Sequence, residues 1–302
     1  MMVLRWRWIG LVAAIALVVS GAAGAVLCEW ALRPPRRAVA PNAEARTVTI
    51  AARDGARLRA SLYSSDQWNG GAVLVLHGIS DSRGSEIGFA HLFLSRGYVV
   101  LTPDNRAQGE SGGAFVTYGL LEADDVHRWI SWLIGELHPN KIYGLGESLG
   151  GAVLIQSLAV EPRFNAIVAE CSFSSLERLA RDRVAERLPL SREIGRWLAA
   201  PVVWAAFVYA RLRYGLDFRD ASPEAALAKS ATPVLLIHGL NDTKTPPEHS
   251  KILAASNPRT TTLWLVPGAA HTGAYGATPK EFERRVVDFY QNLPPGIQVR
   301  EK

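Results

Sequence analysis

Residues 141–150 read Lys141-Ile142-Tyr143-Gly144-Leu145-Gly146-Glu147-Ser148-Leu149-Gly150: an apolar run that ends in a serine with glycines two places before and two places after it. A short apolar run without alternation suits a strand covered on both faces. The residues that follow, Leu149–Glu161, space their apolar side chains by three and four, which predicts a helix. A serine at so sharp a strand-to-helix turn is forced into a strained backbone conformation with its hydroxyl exposed, and the flanking glycines leave room for the strand and helix to cross. The bland reading is a tight turn with an idle serine. The rest of the chain decides between the two.

Working outward, the segments Ala72–Leu76, Tyr98–Leu101, Ala166–Ala169, Val234–Ile237 and Thr262–Val266 repeat the continuous apolar pattern of Ile142–Leu145. Helical spacing occupies the stretches between them, Ile87–Arg96, Leu121–Leu137 and Glu248–Ser256, and the end of the chain, Pro279–Leu293. Strand and helix in alternation predict an α/β fold with a mostly parallel central sheet flanked by helices. Thr47–Ala52 and Leu58–Ser64 alternate instead, with Asp54-Gly55 between them, so the sheet is expected to begin with an antiparallel hairpin. From Phe173 to about Asp220 the pattern is helical and rich in Trp197, Trp204, Phe207, Tyr209 and Tyr214. It is too long for an ordinary connection and reads as a helical cap inserted in the domain, its aromatics mostly serving to pack it.

An unassisted serine hydroxyl is a weak nucleophile, so an activating base and an acid to orient it are sought further along the chain. Val234–Ile237 leads into His238-Gly239-Leu240-Asn241-Asp242, and Leu263–Val266 leads into Pro267-Gly268-Ala269-Ala270-His271. His271 is the candidate base and Asp242 the candidate acid, with Glu170 at the end of an earlier strand as the rival acid. A tetrahedral intermediate also needs two backbone N–H donors. Leu149, just after the serine, offers one, and Ile79 in the loop His77-Gly78-Ile79-Ser80 offers the other. His77 itself reads as a brace for that loop, and His91, His127, His138 and His249 as ordinary packing or surface residues.

The chain has 302 residues and a formal net charge of +5. Residues 1–40 hold five arginines and one glutamate, a net of +4, which leaves +1 for the remainder. A nearly neutral body argues against nucleic acid as a partner. Cys28 and Cys171 are the only cysteines, so neither a disulfide framework nor zinc-ligand spacing is present, and no metal or organic cofactor is expected. Cys171 reads as a small core residue.

From Ile9 to Cys28 twenty residues pass without a charge, bracketed by Trp6, Trp8 and Trp30 and by arginines. At about 1.5 Å per residue a helix of this length covers a hydrocarbon core of about 30 Å. Residues 1–32 are therefore expected to be a single-pass membrane anchor, with a signal peptide cleaved near Ala23-Gly24-Ala25 as the alternative and a secreted or periplasmic product as its consequence. Neither the side of the membrane nor the oligomeric state follows from the sequence. Residues 33–45 read as a linker, and 46–295 as one domain with its cap at about 173–220.

Taken together, His77-Gly78, Asp104-Asn105-Arg106-Ala107-Gln108-Gly109-Glu110-Ser111, Gly146 to Gly150, Asp242 and His271 resemble the alpha/beta-hydrolase superfamily over residues 46–293. More narrowly the chain looks like the serine-aminopeptidase-like branch that includes monoglyceride-lipase relatives and membrane-anchored members. The resemblance implies that Asp104 and Arg106 support the architecture of the site, and it departs from the common Arg-Gly-His-Gly form at Ala107 and Gln108. The expected function is hydrolysis of a carboxylic ester or thioester of a small-molecule or lipid-like acyl substrate by Ser148, His271 and Asp242. The alternatives are an amidase or peptidase of the same fold and a membrane-tethered binding protein without turnover.

Overall fold

The computed structural model describes residues 2–292, apart from the side chains of residues 2–7, 9, 12, 13 and 16. Two compact units can be distinguished, one made of Met1–Arg33 with Leu176–Asp220, the other of Pro34–Ser175 with Ala221–Lys302.

The larger unit is built on eight strands: β1 Arg46–Ala51, β2 Arg57–Tyr63, β3 Gly71–Leu76, β4 Val99–Pro103, β5 Lys141–Glu147, β6 Ala166–Glu170, β7 Val234–Gly239 and β8 Thr261–Val266. They form one sheet in the order β1-β2-β4-β3-β5-β6-β7-β8. As the sequence predicts, β1 and β2 pair antiparallel around a turn in which Gly55 takes a φ of 82°. β2 is also antiparallel to β4, and every later pairing is parallel. Strands β3, β4, β6 and β7 are buried at every position, which is why their sequences run apolar without alternation.

Helices α2 Ile87–Leu94, α3 Glu122–Leu137, α4 Leu149–Ser157, α7 Pro223–Leu227, α8 Glu248–Ser256, α9 Ala274–Ala277 and α10 Pro279–Gln291 complete this unit. Leu293, where the last helix was expected to end, lies outside the described residues. The core against α2 and α10 is strongly aromatic. Tyr290 of α10 stacks on Tyr143 of β5 at 4.4 Å between ring centroids, and donates its hydroxyl to the Gly144 carbonyl at 2.7 Å. Tyr143 in return donates to the Tyr290 carbonyl at 2.9 Å. These two reciprocal bonds fix the strand that leads into Ser148. The linker residues are tied down as well: Arg36 donates to the Ser111 carbonyl at 2.7 Å and Arg37 pairs with Asp81 at 3.0 Å.

The smaller unit is helical: α1 Met2–Leu32, α5 Leu176–Ala185, α6 Arg192–Tyr214 and a short 3-10 turn at Phe218–Asp220. No strand interrupts 173–220, as its sequence pattern predicts. Along α6 a stripe of small and branched residues, Gly195, Ala199, Val203, Ala206 and Ala210, is buried. Gly24 of α1 lets the two helices approach closely, since a Cβ there would lie within 3.0 Å of Ala205 and Ala206 of α6. The expected membrane segment Ile9–Cys28 falls partly on residues whose side chains are not described. Among the described residues no helix is long and apolar enough to cross a membrane.

Candidate active site

The loops that leave the C-terminal ends of β3, β5, β7 and β8 carry the residues singled out in the sequence, the edge at which open α/β sheets bind ligands. At the end of β5 the backbone of Ser148 adopts φ 52° and ψ −113°, a conformation that side-chain-bearing residues rarely take. Its amide is held by the Glu170 carbonyl at 2.8 Å. The flanking glycines are required by contact. A Cβ on Gly150 would run into the Leu76 and His77 carbonyls of the neighbouring strand, and one on Gly146 into the backbone of Gly150 and Gly151. The turn therefore fits no larger residue at either place, and it aims the serine hydroxyl away from the sheet.

That hydroxyl meets a line of hydrogen bonds. Ser148 Oγ lies 2.9 Å from His271 Nε2, and His271 Nδ1 lies 2.7 Å from Asp242 Oδ2. The three are far apart in sequence and come together because β5, β7 and β8 end at the same edge. With Nδ1–H donated to the carboxylate, Nε2 is left as an acceptor facing the serine, the tautomer a general base requires. Asp242 is buried, which raises its pKa, but hydrogen bonds from His238 and His271 and from the Thr245 amide outweigh burial and hold it well below the usual carboxylate range. It is ionised at any pH at which the imidazole can work. The rival acid, Glu170, does not reach His271; its Oε1 accepts from the Ala274 amide at 2.9 Å.

His238 is the residue that the sequence reading passed over. Fully buried, it lies 3.2 Å from Asp242 Oδ2 through Nε2, which also faces the Thr245 carbonyl at 2.7 Å, while Nδ1 accepts from the Ser250 hydroxyl at 2.6 Å. Its spacing of four from Asp242 was the signal available. Cys171, a core residue as expected, adopts φ 51° and takes the Thr272 amide on its sulfur at 3.3 Å, bracing the loop that carries His271. Ligand atoms of Cys171, His238 and Asp242 fall within 4.8 Å of one another. Burial, with the nearby Glu170 and Asp242 charges, drives the Cys171 thiol far above its usual range, and both His238 nitrogens are committed to hydrogen bonds. The donors therefore suit a hydrogen-bonded support better than a metal.

The loop that bears Ile79 is held from two sides. His77 donates from Nδ1 to the Gly78 carbonyl at 2.7 Å and accepts the Asn105 amide on Nε2 at 3.1 Å, and complete burial lowers its pKa, so it serves as a neutral brace. Ser80, at φ 62°, gives its amide to Gln108 Oε1 at 2.6 Å. Gln108 is one of the two departures from the common motif, and here it fixes the residue next to Ile79. Asp104 accepts the Arg83 amide at 2.7 Å and the Glu110 amide at 2.8 Å and pairs with the Arg83 guanidinium. Arg106 forks onto Asp125 with two bonds of 2.7 Å and reaches Asp54 at 2.9 Å.

Glu147 acquires a setting. Parallel register puts it directly across from Glu170, so two carboxyls stand side by side at the ends of β5 and β6. Burial, reinforced by the charges of Glu86, Glu170 and Asp81, pushes Glu147 up to about 9. Glu170 and Glu86, both buried, are each pushed up to about 7. At neutral pH Glu147 is thus protonated, while Glu170 and Glu86 are each about half ionised.

Residues 73–285 match the alpha/beta hydrolase family, a span that runs from β3 through most of α10. The chain belongs to that family. Its sequence is 27% identical over 224 residues to the uncharacterized protein YqkD of Bacillus subtilis, covering 73% of this chain and 71% of that one. It is also 27% identical over 177 residues to the 2,6-dihydropseudooxynicotine hydrolase of Paenarthrobacter nicotinovorans, covering 57% of this chain and 44% of that enzyme. Among solved structures, the esterase Pf2001 of Pyrococcus furiosus superposes with a TM-score of 0.70 at 24% identity, over 86% of this chain and 99% of that one. The chain is an alpha/beta hydrolase with esterases among its structural neighbours, and that likeness carries the fold.

Proposed function

We infer that this alpha/beta hydrolase is a serine hydrolase that cleaves a carboxylic ester or thioester through an acyl-enzyme. The observation that carries the reading is the unbroken line from Ser148 Oγ through His271 to Asp242, at 2.9 and 2.7 Å, starting from a serine held at positive φ. In the first half of the reaction His271 takes the hydroxyl proton as Ser148 Oγ bonds to the acyl carbon. The amides of Leu149 and Ile79 meet the charge that develops on the carbonyl oxygen. Collapse of the intermediate breaks the bond to the leaving group, which receives the proton from His271. In the second half His271 deprotonates water, the hydroxide attacks the acyl carbon, and Ser148 departs with the proton returned. Asp242, kept anionic, fixes the imidazole tautomer and stabilises the imidazolium.

Likeness to an esterase supports an ester over an amide, and the Asp104–Ser111 segment favours the serine-aminopeptidase-like branch. The apolar composition of the cap favours an apolar, lipid-like acyl group. Labelling by a fluorophosphonate probe tests the mechanism: wild-type protein is expected to label and Ser148→Ala to remain blank. A folded wild type that does not label would overturn the reading. A panel of p-nitrophenyl esters of increasing chain length, with a thioester and an aminoacyl anilide beside them, then assigns the bond.

Ile9–Cys28 supports a second part of the reading, that the enzyme is held to a membrane by a single N-terminal span. Alkaline carbonate extraction should leave the protein in the membrane pellet, and recovery in the supernatant would count for a cleaved signal.

A further inference from the structure

Helix α6 has two apolar faces. The buried stripe described above occupies one. A second stripe, Ile194, Trp197, Pro201, Trp204, Val208 and Leu212, recurs at the same three- and four-residue spacing, and at about 100° per residue it is centred roughly opposite the first. This second stripe is turned to solvent: Trp197 is 76% exposed, Trp204 63%, Leu212 83% and Ile194 53%. Isolated exposed apolar side chains are ordinary, but a row with two tryptophans along about five turns of one helix is not. Beside it a cleft of about 290 Å³ is lined by Trp204, Phe207, Val208 and Leu212 and by Arg181, Arg211 and Arg219, the first paired with Glu177 and the other two with Asp217. Residues 176–220 hold nine arginines against six carboxylates, so the helical segment is basic where the larger unit is not.

The same unit indicates what covers the stripe. α1 runs along α6 in the same direction: Gly24 seats on Ala205 and Ala206, Glu29 accepts from Tyr209 at 2.8 Å and from Tyr214, and Arg33 donates to Tyr214 at 3.0 Å. Beyond Gly24 toward the N-terminus, Leu11, Ile15, Leu17, Val18 and Val19 are exposed. The part of α6 that precedes Ala205, with Trp197 and Trp204, therefore extends toward the same end of the unit as the apolar part of α1.

We propose that the Trp197–Trp204–Leu212 face of α6 is a second membrane contact, meeting an anionic phospholipid bilayer alongside the apolar part of α1. Tryptophan and leucine on the lipid-facing side with arginine at the margins is a composition that joins buried apolar area to attraction for anionic lipid. The proposal rests on the reading of Ile9–Cys28 as an anchor and is independent of the hydrolytic mechanism. For an apolar acyl substrate it means that the cap meets the lipid phase directly.

The test uses the full chain in vesicles of phosphatidylcholine and phosphatidylglycerol, with an environment-sensitive fluorophore attached to the thiol of Trp197→Cys, Trp204→Cys or Leu212→Cys and, as reference, of Lys251→Cys on the surface of α8. Quenching by spin-labelled phospholipid is expected to be at least about twofold stronger at the three α6 positions than at Lys251. Because those substitutions could disturb folding, quenching of native tryptophan fluorescence by brominated phospholipid is measured in the unsubstituted chain and in the Trp197→Phe/Trp204→Phe variant, where it should fall. Equal quenching at all positions in a chain that floats with the vesicles overturns the proposal and leaves the anchor standing. A chain that does not float overturns both. Fluorophosphonate labelling of Ser148 in detergent reports on the hydrolase reading separately.

Discussion

His238 and Asp242, four residues apart at the end of β7, face each other at 3.2 Å from Nε2 to Oδ2, and that same oxygen receives Nδ1 of His271. The carboxylate is thus held between two imidazoles, one committed to structure and one facing the serine. Asp242→Asn should lower kcat by about 10⁴, the loss seen in serine-protease triads when the acid no longer enforces the tautomer. His238→Phe should lower kcat by a smaller factor, about tenfold, with KM changed less, because it loosens the acid without removing it. Steady-state kinetics on a p-nitrophenyl ester would measure both; a His238 variant at least as impaired as Asp242→Asn would make His238 the more important partner.

Gln108 supports the loop of Ile79 through the 2.6 Å bond to the Ser80 amide. In Gln108→Ala the second N–H donor loses its position, and kcat should fall by about 10-fold to 100-fold, less than the roughly 10²–10³ that follows removal of an oxyanion donor outright. Ser148 should still react with a fluorophosphonate, only more slowly. An unchanged kcat would show that the loop holds its shape without Gln108.

The carboxyl pair at the ends of β5 and β6 makes stability depend on pH. Glu147 moves from an ordinary value of 4.5 up to about 9 on folding and Glu170 from 4.5 up to about 7. The folded chain holds these protons more tightly than the unfolded one, so stability is greatest below about 4.5 in respect of these groups and is lost as pH rises through 7 toward 9. Glu147→Gln, which cannot ionise, should raise the melting temperature at pH 9, by on the order of 1 kcal/mol or more in stability, and change it little at pH 5. Thermal melts at the two pH values decide it; equal shifts would mean that the carboxyl ionises freely in the folded protein.

Ala107 sits at φ 59°, where a Cβ is unfavourable and where the common motif has glycine. Ala107→Gly should stabilise the protein by about 0.5–1 kcal/mol in chemical denaturation, with activity retained. The reverse experiment is Gly150→Ala, whose Cβ would meet the Leu76 carbonyl; loss of the elbow and of fluorophosphonate labelling is expected.

Strands β3 to β8 were legible because each is a short apolar run bounded by turn residues, and β1 and β2, which carry arginines, because they alternate on either side of Asp54-Gly55. Ser148, Asp242 and His271 could be named as candidates for a related reason: each lies within five residues of the end of such a strand, so its place at the sheet edge is a matter of chain order. His238 was not legible in the same way. A histidine inside an apolar run looks like any packed residue until the fold brings Ser250, Thr245 and Asp242 around it.

What the sequence by itself determined is therefore the local record: periodicity, turn chemistry and the order of strand ends, all of which depend on residues a few places apart. Only the tertiary structure decided that β5, β7 and β8 bring Ser148, Asp242 and His271 within hydrogen-bond reach, that Glu147 faces Glu170, and that Gln108 holds Ser80. Those relations depend on sheet register and on the meeting of segments up to 123 residues apart, as between Ser148 and His271. Burial then fixes their chemistry, because a carboxyl or imidazole removed from water takes its charge state from the few groups that touch it.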